Sequence, residues 1–510
     1  MNEPHLTINR DCREQRDCRP VHLPGNRPLN RVNLQEPKMK HRLFRVASAT
    51  TRQALSLLAC IASLFCALTI VQFSGAQTAE PDFAELEKVV LDELKTTNTP
   101  GAAIGIVRGD RLLYAKGFGT SSVETGAPVT PDMLFRLGST TKMFTAAGLV
   151  QLAEAGKLKL DDPIGKHTKG LSPKIAQLTS HQLLSHMGGL RDDAVMFGRH
   201  DDAALGENVR GLKDDLLFTG PGRIFSYSNP GYWLAGYVIE QVSGKSYADQ
   251  LNEALFKPLG MQSTTLRPTM AMTWPLSQGH EGAPPKVIRP AADNAGNWPS
   301  GSIFSSVNDL SRWAIALLNG GKLDGQQVLA PSLIALLSAP HAAIPGSESH
   351  YGYGLNSATE RGVRLLRHGG SRSGYGSVIT LAPEQRVGLI ILANRSGASL
   401  PKTAEKALEL LLPFTPKASE KTQSIAMSEA EMQRCVGVFA QGSNSVELLL
   451  VEGKLFAKRE NQQFPVNKVG EGRFTAGALE RPTVSFALVF GADGKAEYFH
   501  AGGRSLRRIK

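Results

Sequence analysis

The stretch that decides the fold is "LGSTTKMF", residues 137–144. It places Ser139 and Lys142 three positions apart, and apolar residues at helical spacing follow it. Three residues along a helix leave two side chains about 60° apart around the axis, so these two can touch. Because the positive end of a helix disfavours a protonated amine, a lysine buried there can act as a base toward a serine hydroxyl. The alternative is an ordinary helix start, since serine is a good cap and lysine a good helix residue.

A second Ser-x-x-Lys, at Ser399 and Lys402, shows that the spacing alone does not identify a site. Pro401 lies inside this second motif, and no further motif follows it in the chain. We therefore expect Ser399 and Lys402 to have no chemical role. Ser139 has to be judged together with the rest of the sequence.

The second candidate motif is Tyr227-Ser228-Asn229, in "FSYSNPGYWLAG" at 225–236, and no other Tyr-x-Asn occurs in the chain. A tyrosine beside a lysine ammonium is expected to have a pKa below its usual value of about 10 and to relay protons. An asparagine side chain can bind a substrate amide. The alternative is a polar turn before an apolar helix, because Asn-Pro-Gly is typical of turns.

The third candidate motif is His368-Gly369-Gly370, in "RHGGSRSGYGSV" at 367–378. His-x-Gly is common in this chain and also occurs at His186, His280 and His500. What selects His368 is its position, after the first two motifs and at the head of two apolar strand segments.

Taken in order, these motifs resemble those of the serine β-lactamases and penicillin-binding proteins, in particular the class C β-lactamase, D-aminopeptidase and esterase branch. The resemblance covers about residues 82–412. It implies that Ser139 is the acylated nucleophile and that Lys142 and Tyr227 shuttle protons. It also implies a substrate-binding role for four further residues: Asn229, His368, Gly370 and Ser371. The backbone N–H groups of Ser139 and Ser371 would form the oxyanion hole.

The resemblance predicts an exported serine hydrolase that cleaves a peptide, ester or β-lactam through an acyl-enzyme. The alternative is a catalytically weak penicillin-binding or scaffold protein of the same fold. The sequence departs from the β-lactamase pattern at His368, where those enzymes usually have the lysine of Lys-Thr-Gly. A histidine is mostly neutral at pH 7, so we expect substrates without an anionic group to be preferred.

Metal and cofactor chemistry has little support in the sequence. His181 and His186 lie five residues apart, about 140° around a helix, so they do not share a face as zinc ligands would. No His-Glu-x-x-His, Gly-x-Ser-x-Gly or phosphate-binding loop occurs. We expect no metal and no cofactor. The net charge of +11 includes no dense Lys/Arg run, which argues against a nucleic-acid partner.

The pattern of elements predicts an α/β sandwich over residues 80–415. Apolar strand segments lie near both ends of this region and helices in its middle, so one antiparallel sheet is built from both ends, with covering helices and an inserted helical region. Pro413, Pro416 and a polar run then predict a linker. Short strands at 426–510 predict a small all-β domain, a barrel or sandwich, and the resemblance implies a lipocalin-like barrel.

The first 76 residues are typical of a targeting segment. They contain a basic region, an apolar run at 54–73 and small residues at Ser74 and Ala76, which predicts a secretory signal cleaved after Ala76. The alternative is an uncleaved anchor, since the apolar run is long enough to cross a bilayer. Either version predicts a periplasmic, secreted or membrane-held protein. Translation from Met39 instead of Met1 would give a basic region of ordinary length, and a lipidated start at Cys60 has only faint support.

Only Cys435 lies outside this segment, so we expect no internal disulfide in the exported part. The sequence leaves the oligomeric state open.

Overall fold

A computed structural model of the 510-residue chain describes residues 81–192, 196–417 and 423–510. The predicted signal or anchor at 1–76 and part of the predicted linker lie outside these residues. Within the described ranges, no helix is both long and apolar enough to cross a membrane.

The strands of the described residues are numbered here in chain order. They are β1 (Gly101–Arg108), β2 (Arg111–Gly119), β3 (Phe135–Arg136), β4 (His280–Glu281), β5 (Lys286–Val287), β6 (Phe304–Ser305), β7 (Lys322–Leu323), β8 (Gln326–Gln327), β9 (Ala342–Ala343), β10 (His350–Tyr351), β11 (Asn356–Glu360), β12 (Val363–Arg372), β13 (Tyr375–Ala382), β14 (Val387–Ala393), β15 (Gly437–Gln441), β16 (Asn444–Val451), β17 (Lys454–Arg459), β18 (Gln462–Gly470), β19 (Arg473–Ala478), β20 (Arg481–Phe490), β21 (Ala496–Ala501) and β22 (Arg504–Arg508).

The α-helices of the same residues are short to medium in length. They are Ala84–Thr96, Lys142–Glu154, Pro173–Ala176, Ser180–Leu184, Ala203–Gly211, Asn229–Ser243, Tyr247–Leu251, Pro268–Ala271, Trp298–Gly301, Val307–Leu318, Pro331–Ser338, Pro401–Leu411 and Glu429–Cys435.

One antiparallel sheet of eight strands organises the larger part of the molecule, in the order β2-β1-β14-β13-β12-β11-β10-β9. Strands from the two ends of this region pair directly, since β1 lies beside β14. This confirms the predicted α/β sandwich. Tight hairpins join β1 to β2 at Gly109-Asp110 and β13 to β14.

Strand β1 is buried on both faces, because its alternate residues enter different cores. Ile104 and Ile106 pack with the terminal helices Ala84–Thr96 and Pro401–Leu411. Ala103 and Val107 belong to the larger core beneath the inserted helical region. A strand segment buried on both sides has to be apolar, and β1 reads "GAAIGIV" before the half-buried Arg108 at its end.

The C-terminal part is a closed barrel of the eight strands β15 to β22. Its interior is filled by aromatic and aliphatic side chains, among them Phe439, Phe474 and Phe486. This decides between the two predicted forms in favour of the barrel. Cys435 is buried as a free thiol. The described residues from 81 onward belong to one compact unit, in which the barrel contacts the α/β part, for example through the hydroxyls of Thr219 and Tyr498.

Candidate active site

Ser139 lies in a 3₁₀ turn, Gly138–Thr141, that leads into the helix Lys142–Glu154. The turn is fixed to the sheet, because the Ser377 hydroxyl donates to the Leu137 carbonyl at 2.6 Å. Lys142 is fully buried and points its amine at the serine, with 3.3 Å between Nζ and Ser139 Oγ. The helix proper begins at Lys142, three residues later than a start at Ser139, but the predicted contact between the two side chains is present.

The surroundings of Lys142 favour a neutral amine. Burial lowers its pKa to about 7, from a usual value near 10.5. Two acceptors lie 2.7 Å from Nζ, the Asn229 Oδ1 and the Ser300 carbonyl oxygen. Neither can donate, so the two N–H bonds of a neutral amine point at them. The lone pair then faces Ser139, which is the arrangement that a base needs to accept the hydroxyl proton.

Tyr227 lies on the loop before the helix Asn229–Ser243, and its hydroxyl forms a hydrogen bond with the side chain of Ser139. The Lys142 amine is 4.8 Å from the centre of its ring. The expected fall in the pKa of Tyr227 is wrong: burial raises this pKa, and the bond to Ser139 offsets that only in part. The reason is that removal from water disfavours a phenolate, and the nearby carboxylate of Asp192 disfavours it further. Tyr227 is therefore a neutral phenol that can donate a proton.

Asn229 begins its helix, where the backbone N–H has no partner within the helix. The carboxylate of Asp192 accepts from this N–H at 3.0 Å and from Asn229 Nδ2 at 3.2 Å. Because a carboxylate only accepts, the amide nitrogen has to face Asp192, and the amide oxygen faces Lys142.

His368, Gly370 and Ser371 lie on β12, at the point where one edge of the strand becomes free. Pairing with β11 ends at Arg367, while pairing with β13 continues to Arg372. The free edge packs against the turn that carries Ser139. A Cβ added to Gly370 would lie 1.9 Å from the Leu137 carbonyl oxygen, and one added to Gly138 would lie 2.7 Å from the Ser371 nitrogen. The two backbones predicted to form the oxyanion hole are thus in contact.

The imidazole of His368 is neutral and already occupied on both sides. Burial lowers its pKa to about 3. Its Nδ1 lies 2.7 Å from the Gly369 carbonyl and therefore donates, so Nε2 accepts from the Tyr351 hydroxyl at 2.9 Å. No N–H of this ring is left for a substrate. Its neutrality agrees with the expectation of little attraction for anions.

Arg372, the arginine next along β12, does not supply the missing positive charge. Its side chain is only 8% exposed and lies 3.6 Å from Asp293.

The other candidates of the sequence lie elsewhere. Ser399 and Lys402 are exposed at the start of the helix Pro401–Leu411. The Nδ1 of His181 contacts the Tyr353 hydroxyl at 2.6 Å, whereas that of His186 accepts from the Ser228 N–H at 3.1 Å. The two histidines do not share a ligand position. Among the residues that the structure describes, no group of three or more His, Cys, Asp or Glu side chains could hold a metal ion.

Sequence reasoning missed four contributors to the site: Asp192, Ser300, Tyr351 and Arg504. Asp192 closely follows "LTSHQLLSHMGGL", a stretch that also resembles the β-lactamase branch, but no spacing rule connects it to Asn229. Arg504 comes from the barrel and lies beside Asp192. Only a Gly-Gly turn precedes it in the sequence, and such a turn predicts a hairpin but not its neighbour.

The sheet order, the inserted helices and the three motifs around Ser139 define a hydrolase fold of β-lactamase type. Residues 86–412 match the family described as Beta-lactamase, which is more than half of the chain. The chain belongs to the beta-lactamase family.

Comparison with known proteins adds three similar chains. Unguisins hydrolase ungD' of Aspergillus campestris is 29% identical over 349 residues, 63% of this chain and 62% of that protein. The crystal structure of SurE has a TM-score of 0.69 at 23% identity and covers 83% of this chain and 98% of its own. The D-amino acid amidase of Ochrobactrum anthropi SV3, solved with L-phenylalanine, has a TM-score of 0.53 at 25% identity and covers 64% and 98%.

These similarities support different conclusions. The likeness to SurE establishes the fold alone. The chain spans between 62% and 65% of the length of the curated relatives it matches.

Proposed function

We propose that this protein is a serine hydrolase that cleaves amide or ester bonds through an acyl-enzyme on Ser139. The observation that carries the proposal is the Lys142 amine, which lies 3.3 Å from the Ser139 hydroxyl while its other directions are taken by acceptors. A lysine with a pKa of about 7 is half in its base form at neutral pH. General bases work best when their pKa lies near the working pH.

The proposed reaction has two stages. Ser139 Oγ attacks the carbonyl carbon while its proton passes to Lys142 Nζ, and the oxyanion is held by the backbone N–H groups of Ser139 and Ser371. The proton then passes to the leaving amine or alcohol, with the neutral phenol of Tyr227 as the relay beside Ser139. In the second stage, water attacks the acyl carbon and loses its proton to the same base. The carboxylic acid leaves, and the serine hydroxyl is restored.

The substrate class follows from the charge of the site. The neutral His368 offers no cation to a carboxylate, which supports esters or amides without an anionic group over penicillins and cephalosporins. The name of one similar protein, a D-amino acid amidase, also supports amide substrates. Slow deacylation would instead make the chain a penicillin-binding or scaffold protein of the same fold.

Labelling with a fluorophosphonate and hydrolysis of p-nitrophenyl esters and amino-acid amides test the proposal. Ser139→Ala should abolish both labelling and turnover while the protein stays folded, because the Ser139 side chain caps neither its 3₁₀ turn nor the helix that follows. Ser399→Ala is the matched control, since it changes the other Ser-x-x-Lys and should behave as wild type. Normal turnover by Ser139→Ala would sink the assignment, and labelling without turnover would favour the penicillin-binding alternative.

We also infer that the protein is exported. The basic region, the apolar run at 54–73 and the small residues before position 77 support a secretory signal or a membrane anchor. These residues lie outside the described part of the chain, so the inference rests on the sequence.

A further inference from the structure

The barrel touches the active site through one hairpin turn. Gly502 and Gly503 join β21 to β22, and both have positive φ angles that suit glycine. The Gly503 carbonyl accepts from the Tyr227 N–H at 2.8 Å, so the turn is held against the loop of the second motif. The next residue, Arg504, places its guanidinium 5.5 Å from the centre of the Tyr227 ring.

Arg504 forms an ion pair with a carboxylate of the α/β part. Its Nε lies 3.0 Å from Asp192 Oδ2, and its Nη2 contacts the same oxygen. Asp192 is 6% exposed and Arg504 is 42% exposed. A carboxylate so far removed from water requires a partner, and Arg504 provides it from a different domain.

The same carboxylate orients Asn229. Since Asp192 accepts from both the backbone N–H and Nδ2 of Asn229, it fixes which way the amide faces. The amide oxygen then lies 2.7 Å from Lys142 Nζ. A continuous series of contacts therefore runs from Arg504 through Asp192 and Asn229 to the proposed base.

We propose that Arg504 is a positioning residue of the active site: paired with Asp192, it holds the Asn229 amide toward Lys142 and offsets the negative charge that Asp192 brings near the amine. This inference rests on the proposed function and assigns the barrel a part in it. Arg504 acts through Asp192 and does not need to touch the substrate.

The groups that face Lys142 support this role. The rings of Tyr227 and Tyr232 lie 4.8 Å and 5.3 Å from its amine, and burial raises the pKa of both phenols, so they are neutral. Burial and the nearby lysine lower the pKa of His186 and of His368, so both imidazoles are neutral as well.

Two charged groups of the described residues remain to act on Lys142. After burial, which lowers its pKa most, Asp192 raises this pKa and Arg504 lowers it. The two residues shift the pKa of Lys142 in opposite directions. Removing Arg504 should therefore raise this pKa, and removing Asp192 should lower it.

The test is the pH dependence of kcat/KM for a neutral p-nitrophenyl ester, together with the rate of fluorophosphonate labelling. Activity should rise with pH as Lys142 loses its proton. Arg504→Gln leaves Asp192 unopposed, so this acid limb should move up by about one pH unit, the size expected for a unit charge several ångströms away at an effective dielectric near 20. Asp192→Asn should move the limb down. The double variant should lie near wild type.

Arg223→Gln is the matched control. Arg223, a residue of the α/β part, pairs across the same domain boundary with the barrel carboxylate of Glu497, and neither residue is among the charges that act on Lys142. Its replacement removes an interdomain ion pair without changing the charge near Lys142, so the acid limb should stay in place.

The outcomes separate the two proposals. If Arg504→Gln lowers the rate by one factor at every pH, the contact is structural and the inference fails. The inference also fails if Arg504→Gln raises only the KM for an anionic ester and leaves the acid limb of the pH profile unchanged. Arg504 would then contact the substrate. If wild type is neither labelled nor active, the proposed function fails and the inference falls with it. Should Arg504→Gln not fold, the double variant still decides, because the inference fails if its acid limb lies where that of Asp192→Asn alone lies.

Discussion

Lys142 and Tyr227 show that burial controls the chemistry of single residues in this site. The contact between Ser139 and Lys142 follows from a spacing of three residues, which is local and can be predicted from the sequence. The direction of a pKa shift is not local, since it depends on every group that excludes water from the side chain. The pKa of Lys142 is lowered, as expected. The pKa of Tyr227 is raised, opposite to the expectation, because burial was not visible in the sequence.

His368 gives the residue-scale prediction on substrate choice. Wild type should hydrolyse a neutral p-nitrophenyl ester with a higher kcat/KM than an ester of equal length that ends in a carboxylate. His368→Lys should raise kcat/KM for the anionic ester roughly tenfold or more, because a charge-assisted hydrogen bond is worth about 1.5–3 kcal/mol. This gain requires the longer lysine side chain to bring its amine out beside Gly369, which is exposed, because position 368 itself is buried.

His368→Gln is the control for this comparison, since it changes the ring without adding charge and should give no gain for the anionic ester. Nitrocefin, which carries a carboxylate, should be a poor substrate of wild type. Fast hydrolysis of nitrocefin by wild type, together with no effect of His368→Lys, would contradict the charge argument.

At the scale of elements, the free edge of β12 is what brings the third motif to the nucleophile. The strand segments and the longer helices around it could be predicted, because their periodicity and turns depend on residues that are close in sequence. The point where β11 stops pairing could not be predicted, since it depends on a strand of five residues with mixed burial. The order of motifs indicated that His368 belongs to the site, but not that its ring nitrogens are both occupied.

Gly370→Ala tests this packing. The added methyl group would lie 1.9 Å from the Leu137 carbonyl oxygen, so β12 has to move away from the Ser139 turn. We expect kcat/KM for a neutral ester to fall by about 100-fold or more, the loss typical of a displaced oxyanion donor. Gly369→Ala is the matched control, because its methyl group would meet nothing nearer than 3.7 Å. Equal losses in the two variants would show that the close approach is not what matters.

At the scale of the whole molecule, the sequence predicted the parts but not their contact. The positions of the apolar strand segments predicted one sheet built from both ends of the α/β region. They also predicted a separate β-domain after a linker. The meeting of Arg504 with Asp192 joins residues 312 positions apart. No sequence pattern around Asp192 or around Arg504 specifies this contact, because it depends on how the surfaces of the two folded domains pack together.

The export prediction also belongs to this scale. The exported form should begin near Gln77, or should remain membrane-held by residues 54–73, because the basic flank stays in the cytoplasm and the remainder is translocated. N-terminal sequencing of protein from fractionated cells distinguishes these forms. A cytoplasmic chain that keeps Met1 would contradict both.

The interdomain ion pair has a consequence for the order in which the protein matures. A chain emerges N-terminus first, and the eight-stranded sheet has all of its strands once β14 ends at Ala393. Arg504 follows more than a hundred residues later. During that interval Ser139, Lys142 and Asn229 can already stand together, yet the carboxylate of Asp192 has no guanidinium beside it. If Arg504 acts as proposed, the unopposed Asp192 raises the pKa of Lys142 at this stage, and the base form of the lysine reaches its full population only when the barrel closes.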